Sequence, residues 1–204
     1  MSGLVVDHVL IAVSDLDAAA AAVGRLGLPV VAGGRHPGWG TANRIVPLGG
    51  AYVELVAVVD PAEADSSPFG RWVAASPPGP MGWAVRGDDL DAIARRLGLD
   101  PVPGSRAAPD GRRLRWRTAG VERVIAEPSL PFFIAWEPGT PFPGAGRAGI
   151  AVERVELRGD ASRLEDWLGE GTLPIAVRPG PPAVEGIVLR GPGGPIRVDA
   201  ASLV

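Results

Sequence analysis

Two stretches of this chain can be laid on each other at a fixed spacing, and that repetition restricts the fold more than any other feature. Residues 4–28, LVVDHVLIAVSDLDAAAAAVGRLGL, read as a β-branched strand running straight into an alanine-rich helix. Residues 81–99, MGWAVRGDDLDAIARRLGL, repeat that grammar. Setting Asp15-Leu16 on Asp89-Leu90 gives an offset of 74 residues (89 − 15), and apolar positions then coincide along strand and helix. Self-similarity at so long a period indicates a duplicated module rather than a solenoid.

Three further strands follow each helix. In the first copy they are PVVAGG, TANRIVPLG and AYVELVAVV, with RHPGWG as the loop between the first two. In the second they are the PVPG region, RRLRWRTAG and PFFIAWEP. Ser14 or Asp15, and Asp88 or Asp89, are the expected helix caps. A weaker third copy runs from about Ala148, with AVERVELRG, DASRLEDWLG, LPIAVRPG, VEGIVLRGPGG and PIRVDAA, and GPGGP reads as a hairpin turn rather than a phosphate loop. The expected organisation is a first βαβββ module at 1–60, a linker at 61–79, a second module at 80–138, a linker at 139–147 and a degenerate third module at 148–204. No copy is large enough to bury its own sheet face alone, so the copies are expected to pack together as an α+β fold.

Composition narrows the chemistry. There is no cysteine and no lysine, which removes disulfides, thiolate nucleophiles, cysteine metal sites and Schiff-base catalysis. A net charge of −3 without a basic run gives no footprint for nucleic acid or an anionic membrane. The opening apolar run lacks a basic flank and contains Asp7 and His8, and no run reaches the length of a membrane span. A cytoplasmic protein is expected, and the Ala, Gly, Pro and Arg bias fits a GC-rich bacterial genome.

Strand alternation places His8 with Val6, Leu10 and Ala12 on one face, opposite Val5, Val9, Ile11 and Val13. Glu54 likewise shares a face with Tyr52 and Val56. One face of each strand thus suits cover by helices, and the other carries a polar residue. The loop around RHPGWGTANR is open to two readings. Gly38, Gly40 and Pro37 suit a plain turn. Yet His36, Trp39, Thr41 and Asn43 crowd it with side-chain chemistry that suits a pocket rim. Phe132, Ile134 and Trp136 share a face of the eighth strand, with Trp116 on the strand before. They are core packing or, if that face lines a pocket, an apolar wall of it. Arg44, Arg86, Arg115 and Arg117 are carboxylate or phosphate partners, or solvated.

The repeated modules, the opening VDHVLIAVSDLDAA, GGRHPGWGTANRIVPLGGAYVELV and LPFFIAWE resemble the glyoxalase-like domain family of the vicinal oxygen chelate superfamily. The resemblance implies two modules closing an incomplete barrel around a pocket, with a divalent metal held from the first and fourth strands of each module. His8 and Glu54 match the first-module ligand positions, and such donors suit Zn, Mn, Ni or Fe. In the second module the 74-residue offset matches His8 to Gly82, and YVELV set on FFIAW matches Glu54 to Ile134, neither of which can ligate. His8 is therefore a metal ligand or a buried histidine bonded to Glu54. His36 is a candidate third ligand, although its place in a loop is not where the resemblance puts one.

Two functions follow. One is an enzyme working on a small carbonyl or enol metabolite, a lyase, isomerase or dioxygenase in which Glu54 or His8 moves a proton. The other is a metal-free protein that sequesters a small molecule. A homodimer is expected, with the third module free to complete a neighbour's sheet.

Overall fold

The computed structural model describes residues 3–146, 149–169 and 171–203. Its first module runs β1 (Val5–Ala12), α1 (Leu16–Arg25), β2 (Val31–His36), β3 (Thr41–Pro47) and β4 (Tyr52–Val58). Two short helices follow, α2 (Pro61–Asp65) and α3 (Pro68–Ala75). The second module is β5 (Gly79–Arg86), α4 (Leu90–Leu97), β6 (Val102–Ala107), β7 (Arg113–Ala119), α5 (Val121–Ala126) and β8 (Phe132–Trp136). The third is β9 (Ala151–Arg158), α6 (Ala161–Leu168), β10 (Ile175–Arg178), β11 (Ala183–Gly191) and β12 (Gly194–Val198). The joint expected at 147/148 lies outside the described residues.

Each module's main helix starts at an aspartate. Asp15, Asp89 and Asp160 accept backbone N–H groups of the first turn of α1, α4 and α6, a cap worth about 1 kcal/mol each. The segment expected as a first linker is helical for the same reason. Asp60 and Ser67 cap α2 and α3, each followed by a proline at the first helical position, where the missing N–H costs nothing.

Eight strands form one curled sheet in the order β2-β3-β4-β1-β5-β8-β7-β6. At its centre β1 and β5 run antiparallel, with His8 opposite Ala84 and Leu10 opposite Gly82. That register is unchanged when each residue is exchanged for its partner 74 positions away, so the duplication is a two-fold relation in space. The same symmetry corrects one match. Leu10 lies opposite Glu54 across β1 and β4, and Ala84 lies opposite Phe132 across β5 and β8. The counterpart of Glu54 is Phe132 rather than Ile134, because the second copy's segment before its last strand, including α5, differs in length. The outer strands β2 and β6 approach across the open side. A methyl group built on Gly34 would fall 2.4 Å from the carbonyl oxygen of Ala107.

The convex face carries the core. Val9, Ile11, Val53 and Leu55 are fully buried on the first half, and Trp83, Val85 and Phe133 on the second. The third module's four-stranded sheet, order β10-β9-β11-β12, covers the second half. The Trp167 ring of α6 lies tilted against Phe133, 5.9 Å between centres, and donates to the carbonyl of Pro131, while Arg96 of α4 donates to three terminal carbonyls of α6. This sheet therefore buries its apolar face on its own chain. Pro192-Gly193 closes the β11–β12 hairpin as expected. No helix among the described residues is long and apolar enough to cross a membrane.

Candidate functional site

The concave face of the sheet bears the polar residues, and a break in strand pairing determines how they are held. The register of β1 against β5 shifts between Val6 and His8, leaving Asp7 as the extra residue of a bulge. Simple alternation would send Asp7 to the convex face. Instead its buried carboxylate accepts from Trp136 Nε1 at 3.0 Å and Arg86 Nη1 at 3.0 Å, and its Oδ1 lies 2.7 Å from His8 Nδ1. Burial would raise this carboxyl group, but the hydrogen bonds from His8 and Trp136 and the charges of His8 and Arg86 outweigh it and hold Asp7 below the ordinary carboxylate range. An ionised carboxylate can only accept, so His8 carries its proton on Nδ1 and turns Nε2 toward the cavity. The imidazole stacks on Tyr52, whose phenol burial pushes well above its usual value, with the Asp7 and Glu54 charges adding to the effect.

Glu54, at the centre of β4, is buried with Oε2 3.7 Å from His8 Nε2. Its Oε1 accepts from Asn43 Nδ2 at 2.8 Å. The Asn43 amide is itself oriented, since its Oδ1 accepts from the backbone N–H of Gly34 at 2.8 Å, in an irregular stretch of the β2–β3 ladder. Gly33 is required there, because a Cβ at that position would lie 1.9 Å from Asn43 Oδ1. His36 is buried with Nδ1 2.9 Å from Thr41 Oγ1 and Nε2 3.8 Å from Glu54 Oε1. Burial drives its pKa down to about 4, against the opposing pull of Glu54 and with help from the Arg106 and His8 charges, so His36 is neutral at physiological pH.

These groups open onto a cavity of about 490 Å³. An arc of rings faces them. Phe69 and Trp39 meet at 5.1 Å, Trp39 and Trp116 at 6.1 Å, and Trp116 and Trp136 at 5.6 Å. Phe132 meets the His8 ring edge-on at 5.5 Å. Helix α2 sets the first part of the arc, since Glu63 accepts from the N–H groups of Gly38 and Gly40 and so fixes the turn that carries Trp39. Residues 120–123, at the start of α5, form part of the mouth.

The structure thus brings His8, Glu54, His36, Trp39, Asn43, Phe132, Ile134 and Trp136 to one cavity. Thr41 is the exception. It is fully buried beside His36 and orients that ring instead of lining the space. His36 is the last residue of β2, paired with Thr41, and not part of a loop. Arg44, Arg86 and Arg117 pair with Asp17, Asp7 and Asp91, and Arg115 is exposed. Sequence reasoning passed over Asp7 and Arg106. An acidic residue inside a buried β-branched run was the available signal for the first, and nothing local marked the second.

A protein-family model described as "Glyoxalase-like domain" matches residues 6–171. The chain belongs to the glyoxalase-like domain family. Within that family's wider group, the vicinal oxygen chelate superfamily, the sheet described above is the common architecture. The chain is similar to a crystal structure of a hypothetical protein from Staphylococcus aureus, 15% identical, covering 92% of this chain and 91% of that one with a TM-score of 0.75. It is also similar to methylmalonyl-CoA epimerase from Mycobacterium tuberculosis, 27% identical over 66% of this chain and 87% of that one, TM-score 0.46. A Streptomyces coelicolor methylmalonyl-CoA epimerase in complex with 2-nitronate-propionyl-CoA is 20% identical over 64% and 94%, TM-score 0.45. Among curated proteins there is no match.

The superfamily implies a divalent metal, and the donors of this glyoxalase-like chain do not fit one. The positions related to His8 and Glu54 by the two-fold are Gly82 and Phe132, and the Trp72 ring occupies the space beside Gly82, within 2.5 Å of where a Cβ would be. Asn43 aims N–H hydrogens at Glu54 Oε1 and sits 3.4 Å from His36 Nε2, so a hydrogen-bond donor lies between Glu54 and the candidate third ligand, His36. Among the described residues no group of three or more His, Asp or Glu side chains is arranged to hold a metal ion.

Proposed function

We propose that this chain is a proton-transfer enzyme acting on a small, partly apolar carbonyl compound, with Glu54 and His8 as its acid–base pair and no metal in the step. The observation that carries this reading is the 3.7 Å separation of His8 Nε2 from Glu54 Oε2 within a cavity, with the far side of the His8 ring bound to Asp7. A base held by a buried carboxylate and facing a second titratable group is the arrangement general acid–base catalysis needs. Glu54 removes a proton from the carbon next to the carbonyl and passes it to the unprotonated Nε2 of His8, 3.7 Å away, where Asp7 stabilises the imidazolium until the proton returns. Returning the proton to either face of that carbon, or to a neighbouring one, completes an isomerisation that consumes no co-reactant. The aromatic arc excludes water and receives the apolar part of the substrate.

The test is protein-dependent exchange of α-hydrogens with D₂O, followed by NMR across a library of small oxo and β-dicarbonyl acids. Exchange in the wild type that is lost in Glu54→Gln supports the assignment. A library in which compounds bind but none exchanges, or exchange undiminished in the variant, overturns it.

A second reading rests on the rings alone: a protein that sequesters a small aromatic compound. Under it Trp136→Ala abolishes binding, Glu54→Gln retains it, and no compound exchanges.

A further inference from the structure

Strand β6 is exposed or half-exposed along its length except at one residue, and that residue is charged. Arg106 is only 5% exposed, yet its Nη1 makes a single long hydrogen bond of 3.4 Å to the carbonyl of the adjacent Ala107. Among the described residues no carboxylate forms an ion pair with it, in contrast to Arg44, Arg86 and Arg117. No fully buried polar side-chain atom among the described residues lacks a partner, so the guanidinium nitrogens without a hydrogen bond keep accessible surface, and Arg106 lines the cavity together with His36 and Glu54. Space for the group is kept by Gly34, where a Cβ would come within 3.1 Å of Nη1.

A guanidinium does not shed its proton, and a charge held out of bulk water without a counter-ion is unfavourable until an anion arrives. The planar fork matches a carboxylate with two parallel hydrogen bonds. Glu54 in the same cavity disfavours a second negative charge on the guest, and the ring arc asks for an apolar body. We infer that Arg106 binds the carboxylate of the ligand, and that the ligand class is small monocarboxylic acids with an aromatic or branched apolar body. This inference rests on the cavity being a ligand site, as in the proposed function, but not on the proton transfer.

The test uses para-fluorophenylacetate and its uncharged analogue para-fluorophenylacetamide, titrated into the full chain and followed by fluorine NMR at neutral pH. The expected result is a preference of at least ~10-fold for the acid in the wild type, the scale of a charge-assisted bidentate pair. Arg106→Gln should bind acid and amide alike, its retained amide affinity reporting an intact cavity, and Arg106→Lys should keep part of the preference. Equal binding of acid and amide by the wild type, no saturable binding of the acid, or a preference that survives in Arg106→Gln overturns the inference. Should Arg106→Gln not fold, the wild-type comparison and Arg106→Lys decide. Exchange of α-hydrogens by the wild type reports on the acid–base reading alone, so either proposal can fail while the other stands.

Discussion

The carboxylate of Asp7 holds the ring of the very next residue, with Oδ1 2.7 Å from Nδ1 of His8, although neighbours in a strand ordinarily point to opposite faces. The bulge between Val6 and His8 makes this contact possible. Asp7→Asn removes the charge without much change of shape. It should lower α-hydrogen exchange on the order of 100-fold, within the range a positioned acid or base contributes. It should also destabilise the fold by about 3 kcal/mol, since Arg86 and His8 lose a buried partner. The Asp7 pKa is lowered by folding, so its contribution is present above the ordinary carboxylate value and is lost as pH falls below it. Urea titrations of both proteins should therefore converge in acid.

Gly33 and Asn43 form a second dependence. Gly33→Ala puts a methyl group where Asn43 Oδ1 now sits, and should destabilise by about 1–3 kcal/mol as an overpacked site. The same substitution turns the Asn43 amide away from Glu54. Ligand affinity in Gly33→Ala and Asn43→Ala should thus fall together, and a Gly33→Ala protein with wild-type affinity would separate the two residues.

The pH dependence of stability should carry a signature of His36. Its folded pKa is about 4 against an ordinary 6.5. The unfolded chain therefore binds the extra proton first, and stability is lost as pH falls from 6.5 toward 4. The loss between neutral pH and pH ~5 amounts to about 2 kcal/mol from this residue. His36→Gln should flatten that part of the profile relative to the wild type, as measured by chemical denaturation at several pH values. Parallel profiles would assign the slope elsewhere.

The Trp72 ring over Gly82 predicts how the protein responds to an attempt to complete a metal site. Gly82→Ala should cost about 1–3 kcal/mol because the ring cannot be displaced cheaply. Gly82→His should gain no zinc affinity by calorimetry unless Trp72 is shortened in the same molecule. Elemental analysis of protein purified without chelator or affinity nickel should give well under one metal per chain. A stoichiometric metal, lost on His8→Ala, would contradict the donor argument.

Much of the fold could be read from the chain because local and global signals agree. Val9 and Ile11 alternate with Leu10 in β1, Asp15 and Asp89 cap the helices of the first two modules, and the 74-residue offset survives in the β1–β5 register. Alternation gave the face of each strand that carries His8 or Glu54, and the family resemblance placed the two on one concave face. What escaped depends on interruptions of that period or on distant chain. Asp7 turns inward through a register shift that strand alternation alone would place on the wrong face. The α2 and α3 signals, Asp60-Pro61 with Glu63 and Ser67-Pro68, were present but hidden among linker-like residues. Arg106 lies in a polar stretch, and its burial arises only because β6 approaches β2.

The two halves of the barrel no longer match across their axis. One supplies Glu54 and the other, in the equivalent place, Phe132. A hollow between identical halves would admit a guest equally well either way round. This one has a wet end and an oily end, so a guest settles in a single orientation, its polar group toward Glu54 and its greasy part toward Phe132, and the loss of symmetry is itself what tells the two ends of a small molecule apart.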